Sequence, residues 1–240
     1  MSAPSIHAFA EKVALISDGS DPVGRAVALQ LALLGSYVII GLPPGANDDA
    51  RAAEELKSLG TLASAVAADI TTAEGAKALV GEVDKMFGRL DLLVNCLKRA
   101  PDSAFDETEE AVFDRAVGAN LKSTFFVTRE ALKLMKPRPK PKIVNVTSAL
   151  DTPETESGVL YRALQEAVVG ATKALAKNLP KNFRVNAVAV SEKQKTAGEE
   201  LDPELFRARR GVPADDAART VVFLLSAESI GLNGQVLTVE

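Results

Sequence analysis

The 240-residue chain has no tryptophan, two tyrosines, one cysteine (Cys96) and one histidine (His7). A lone cysteine excludes an intrachain disulfide framework or a thiolate cluster. A lone histidine excludes a histidine-based triad and a multi-histidine metal centre within the chain, so no metal site is expected. No apolar run approaches the eighteen or so residues that cross a bilayer. The opening MSAPSIHAFAEK lacks the charged, apolar and cleavage regions of a signal peptide. A soluble, cytoplasmic protein without a membrane partner is therefore expected. A basic excess is missing too: 28 Lys and Arg stand against 32 Asp and Glu, for a formal charge of −4. That balance offers no electrostatic footprint for nucleic acid. The one basic cluster, KPRPKPK at 136–142, reads as a solvated turn, because its prolines deny it a helical face.

What is present is a regular alternation. Short apolar runs at 12–17, 36–41, 62–68, 90–96, 142–148, 183–190 and 234–240 are separated by helical patterns at 22–35, 48–59, 72–87, 106–135, 158–178 and 214–226. Most of the short runs are continuously apolar rather than alternating, as strands covered on both faces of a parallel sheet must be. Strand and helix in this rhythm predict an α/β fold, a doubly wound Rossmann-type parallel sheet of about seven strands with right-handed crossovers. No repeat or linker divides the chain, so 1–240 reads as a single domain.

The pattern at 158–178 carries two stripes. Leu160, Leu164, Val168, Ala171 and Leu175 form an apolar one, and Ala163, Ala167, Gly170 and Ala174 a small-residue one. A helix outside a sheet has only one side to bury, so the second stripe is expected to meet another subunit, the alternative being the helical pattern 106–135 of the same chain.

LISDGSDPVGRAVA (15–28) opens as nucleotide-binding βα units open, with an apolar strand breaking into a glycine-containing turn and then a helix. Further along come ADI with Asp69, LLVNCLK with Asn95, GANL with Asn120, IVNVTS ending on Ser148, and Tyr161 thirteen residues later in YRALQEAVVGATKALA. FRVNAVAV, RTVVFLLSAES and LNGQVLTVE complete the order. The ordered set resembles the short-chain dehydrogenase/reductase family over essentially the whole chain. The resemblance implies that Gly19, Gly24, Asp69 and Asn95 are cofactor-binding positions. It also implies that Asn120, Ser148 and Tyr161 are catalytic ones.

The chain departs from that family where its chemistry is done. Asp18 and Pro22 replace the first two loop glycines, and Gly24 remains at the third. Asp21–Pro22 makes a self-contained helix start, an N-cap followed by proline at the first helical position. The turn would then hold its own carboxylate where a diphosphate belongs, with Asp18 adding a second charge. Gln165 stands where the family's lysine lowers the tyrosine's pKa. Leu97 and Lys98 fill positions where small residues leave room for the cofactor. Val190 and Ser191 replace a Pro-Gly turn, and IIGLPP offers no acid or arginine for a ribose 2′ position. The segment 190–210 looks short for a substrate lid.

These departures lead to the expectation of a non-catalytic subunit that binds no cofactor itself. It would associate with a homologous catalytic subunit carrying NAD(P), through the helices near 106–135 and 158–178. The resemblance extends to hetero-oligomeric hydroxyacyl-CoA or alcohol dehydrogenases, including the type acting in benzylsuccinyl-CoA β-oxidation. The alternative is an active NAD(P)-dependent oxidoreductase using Tyr161 and Ser148, with Gln165 in place of lysine.

Overall fold

In the computed structural model, seven strands form one parallel sheet in the order β3-β2-β1-β4-β5-β6-β7. The structure describes residues 9–45, 49–96, 99–100, 104–149, 158–191 and 213–239. In chain order the elements are β1 (Val13–Ile16), α1 (Pro22–Leu33), β2 (Tyr37–Leu42), α2 (Asp49–Ser58), β3 (Ala63–Ala67), α3 (Ala73–Phe87) and β4 (Leu92–Asn95). Then follow α4 (Glu110–Val117), α5 (Ser123–Met135), β5 (Lys142–Ala149), α6 (Gly158–Asn178), β6 (Arg184–Ser191), α7 (Pro213–Leu225) and β7 (Val236–Val239). The strand order reverses direction between β1 and β4, which opens a crevice at the carboxyl ends of those strands.

Alternate strand residues serve opposite faces, as the two-residue period of a strand requires. Ala14, Ile16, Val38, Ile40, Val94, Val144 and Val188 pack with α1 and α7. Val13, Leu15, Ile39, Leu93, Ile143 and Val185 pack with α3 and α5. Both sets are buried, which explains the unbroken apolar runs.

The helices begin and end on local chemistry. Asp21 caps α1 by accepting from the amides of Val23 and Gly24, with proline next in line. Thr72 caps α3 through the Gly75 amide, and Gly88 closes that helix in the left-handed region at φ 60°.

The helix expected at 106–135 begins at Glu110 and runs through α4 and α5 with helical backbone throughout, widened by one π-type turn at Gly118–Lys122 that carries the buried Asn120. The Asn120 side chain donates back to the Ala116 carbonyl at 2.9 Å, and the thickened turn sets it deep in the fold.

The basic turn is also only partly solvated. Lys136 and Lys140 are exposed, but Arg138 donates to the buried Asp91 at 2.8 Å. Lys142 is buried at the start of β5, where its ammonium donates to the carbonyls of Leu224 and Ser226 and to Ser229 Oγ. A cation there satisfies carbonyls at the end of α7. No described helix is long and apolar enough to cross a membrane.

Burial, reinforced by Arg184 and Lys140, lowers the Lys142 ammonium from 10.5 to about 8. The unfolded chain keeps this proton to higher pH than the folded one does. Stability at this site therefore rises with pH between about 8 and 10.5 and is lowest below 8. Chemical denaturation of the wild type and Lys142→Met at pH 7.5 and 10 should show the wild type gaining on the variant, by about 3 kcal/mol at most.

Candidate active site

The turn after β1 lies at the crevice. Gly19 donates its amide to the Gly41 carbonyl at 2.7 Å, which draws the turn against the end of β2. A Cβ on Gly41 would come within 2.3 Å of the Ser17 carbonyl, and one on Gly24 within 2.2 Å of the Asp18 carbonyl and 2.7 Å of Cys96 Sγ. Both glycines are thus demanded by close backbone approach, with Gly24 packing helix on strand as the third loop glycine does. Beneath them, Cys96 Sγ donates to the Asp18 carbonyl at 3.0 Å and its amide donates to Ser17 Oγ at 3.1 Å.

The two carboxylates in this turn differ in state. Asp21 is committed to the amides of Val23 and Gly24, at 2.9 and 3.2 Å. Asp18 is buried, 3% exposed, and accepts from the Ser20 amide at 2.8 Å and the Ser20 hydroxyl at 2.6 Å. The Arg99 guanidinium lies 3.6 Å from its other oxygen. Asp18 is a partnered group inside the turn, not a bare charge facing the crevice.

Further along the carboxyl edge, β5 delivers Ser148 and the first turn of α6 delivers Tyr161. Their hydroxyls share a hydrogen bond of 2.6 Å, and both side chains are buried. One α-helical turn on, Gln165 is buried with both ends of its amide engaged. Its Oε1 accepts from Thr147 Oγ1 at 2.7 Å and from the Ser148 amide at 3.1 Å. Its Nε2 donates to Asn120 Oδ1 at 2.9 Å. Asn120 also accepts from the Arg99 amide at 3.0 Å and donates to the Arg99 carbonyl at 2.8 Å. Asn120, Ser148, Tyr161 and Gln165 therefore form one connected group. Two adjacent hydroxyls of this kind can bracket a carbonyl oxygen as neutral donors.

The expected cofactor-side residues are more dispersed. Asn95 is buried within the sheet, donating to Thr128 Oγ1 at 2.9 Å and Asn145 Oδ1 at 2.8 Å. Asp69 is exposed beyond β3, with one oxygen held by the amide and hydroxyl of Thr71. Where the family has a Pro-Gly turn, β6 runs on through Val190 and Ser191, and Ser191 pairs in register with Ala149. Leu97, Lys98, His7 and residues 192–210 lie outside the described residues. Among the described residues, no three His, Cys, Asp or Glu side chains converge as a metal site.

The family model described as enoyl-(acyl carrier protein) reductase matches residues 20–240. The 3-oxoacyl-[acyl-carrier-protein] reductase FabG of Staphylococcus aureus is 32% identical over 238 residues, covering 95% of this chain and 96% of that protein. The chain belongs to the short-chain dehydrogenase/reductase family. A short-chain dehydrogenase from Burkholderia cenocepacia, solved in complex with NADP, superposes with a TM-score of 0.83 at 26% identity, covering 97% of each chain. A dehydrogenase/reductase from Sinorhizobium meliloti gives a TM-score of 0.84 at 27% identity over 98% of this chain and 97% of the other.

The NADP complex overturns the expectation that no cofactor is bound by this chain, since a neighbour that shares the fold over 97% of both chains is solved with NADP. The expected repulsion rests on the Asp21 carboxylate with Asp18 as a second charge; Asp21 does cap α1, but Asp18 is buried and held by Ser20 and Arg99 rather than bare. The fit to such a group is uneven. The hydroxyl pair and the exposed Asp69 fit its two ends, while the α1 amides are taken up by Asp21 and do not offer the usual diphosphate cradle.

Arg99, Thr147, Cys96 and Gly41 were not singled out for roles at the site. Arg99 and Cys96 reach the turn from about 80 positions away, at separations of 79 and 78 residues, so no local pattern announces them. Burial raises the Cys96 thiol well above its usual value, with Asp21 and Asp18 adding to the effect. The native protein should therefore resist Ellman's reagent at pH 8 and release one thiol equivalent only when denatured, as followed at 412 nm.

Proposed function

We propose that this chain is a catalytically attenuated short-chain dehydrogenase subunit. It binds an NAD(P)-type dinucleotide in the crevice between β1 and β4 and works beside an active paralogue in a hetero-oligomeric oxidoreductase. The observation that carries the reading is the state of Gln165. Its amide is engaged at both ends, by Thr147 and Ser148 and by Asn120, and it brings no positive charge to the Ser148–Tyr161 pair. General acid–base transfer by a phenol is assisted by a neighbouring cation, and Gln165 supplies none. The pair can hold a carbonyl oxygen, yet its proton transfer lacks the family's lysine. The 3-oxoacyl reductases among the relatives support a 3-oxoacyl or hydroxyacyl thioester, such as a CoA ester, as the substrate class of the complex.

The outer surface supports the partnership. Phe113 on α4, Phe125 on α5 and Val159 on α6 are 48%, 58% and 52% exposed. On α6, Ala163, Gly170 and Ala174 are exposed and Ala167 is half-buried. Exposed large apolar side chains and a row of small ones suit close helix packing against a second subunit.

The test is to purify the chain alone and co-expressed with candidate paralogues, following NAD(P)H oxidation with a 3-oxoacyl thioester. Alone, the wild type should turn over slowly, and Gln165→Lys should raise its rate at least about tenfold, within the range of general acid–base effects. Co-expression should yield a mixed oligomer by native mass spectrometry. A wild-type homo-oligomer with the rate of an ordinary reductase, unimproved by Gln165→Lys, would defeat the proposal.

A further inference from the structure

We infer that Arg99 is the phosphate-binding arm of this site, supplying the charge that the first turn of α1 no longer offers to a dinucleotide. The inference rests on the dinucleotide-binding reading above and assigns one of its contacts. The amides of Val23 and Gly24, which would otherwise face an anion at the helix start, donate instead to Asp21. A diphosphate in the crevice then needs another cation.

Arg99 is built to provide it. Its backbone is held from both sides by one side chain, with its amide donating to Asn120 Oδ1 and its carbonyl accepting from Asn120 Nδ2. From that fixed base beside the Ser148–Tyr161–Gln165 group, the guanidinium reaches across to the β1–α1 turn. There it lies 3.4 Å from Ser20 Oγ and 3.6 Å from Asp18 Oδ2. Both contacts are long. Asp18 is already served by the Ser20 amide and hydroxyl, and the arginine side chain is 56% exposed. Such a loose, solvated pair holds the guanidinium in place at little cost to its release. Its planar fork of five donors can turn to an incoming phosphate, bidentate, without the backbone moving. Among the described residues, Arg25 on α1 is engaged by Glu55 at 2.5 Å.

The arrangement also couples the two halves of the crevice. Gln165 orients Asn120, Asn120 fixes the Arg99 backbone, and Arg99 covers the phosphate turn. A phosphate drawn to Arg99 is thereby placed relative to the hydroxyl pair.

Isothermal titration of the full chain with NADPH, NADH and adenosine tests this. Arg99→Ala should weaken NADPH at least tenfold and leave adenosine unchanged. Arg99→Lys, which keeps the charge but loses the fork, should fall between. Raising the salt from 50 to 500 mM should weaken NADPH binding more in the wild type than in Arg99→Ala. A loss shared by NADH supports the arm, because both dinucleotides carry the diphosphate; a loss confined to NADPH places Arg99 at the 2′-phosphate and overturns it. Equal NADPH affinity in Arg99→Ala, or a parallel loss of adenosine, overturns it. A wild type that binds neither dinucleotide defeats the binding reading itself, and this inference with it.

Discussion

The amide of Gln165 is the point on which the site depends. A carboxamide can accept at one end and donate at the other, and here both ends are used: toward Thr147 and the Ser148 amide, and toward Asn120. A lysine at the same place could donate but not accept. The substitution therefore changes the role of the position from supplying charge to holding three elements together. It ties the end of β5 to the first turns of α6 and to the π-type turn between α4 and α5. Buried polar networks of this sort are worth most when every member is satisfied, and these carry that condition as far as Arg99.

The same economy runs through the β1–α1 turn. Two carboxylates stand where glycines or a neutral loop would serve an anion, and each is paired internally: Asp21 with helix amides, Asp18 with Ser20 and Arg99. The turn is stable without a ligand, because its charges answer one another. What it gives up is the bare helix terminus. The compensating positive charge arrives from the far side of the sheet's switch point, on a residue that follows β4.

Around the site, the sheet does what a fully covered parallel sheet must. Its strands are apolar on both faces, and the two cores on either side hold the carboxyl edge rigid. Two buried ions at the amino edge of the sheet have specific partners. Asp91 is ringed by Lys12, Arg89 and Arg138 at the amino ends of the strands, and Lys142 meets the end of α7.

The alternation of apolar runs with helical patterns determined the α/β class and nearly every element, because side-chain period and capping residues act within a few positions of one another. Asp21 before Pro22 marked the start of α1 for the same reason. The spacing of Ser148 and Tyr161 was likewise legible, since a strand end and the first turn of the next helix meet wherever the sheet places them. Other features were invisible at that range. The π-type widening of the helix follows from how Asn120 is held, and the apolar pattern passes through it without interruption. Lys142 reads as one more charge in a basic turn until α7 closes over it. The partnering of Asp18 needed Arg99 brought across 81 positions of chain, which only the folded sheet accomplishes. Local periodicity is written in neighbouring residues; the charge state of a crevice is set by which distant groups the topology brings to its rim.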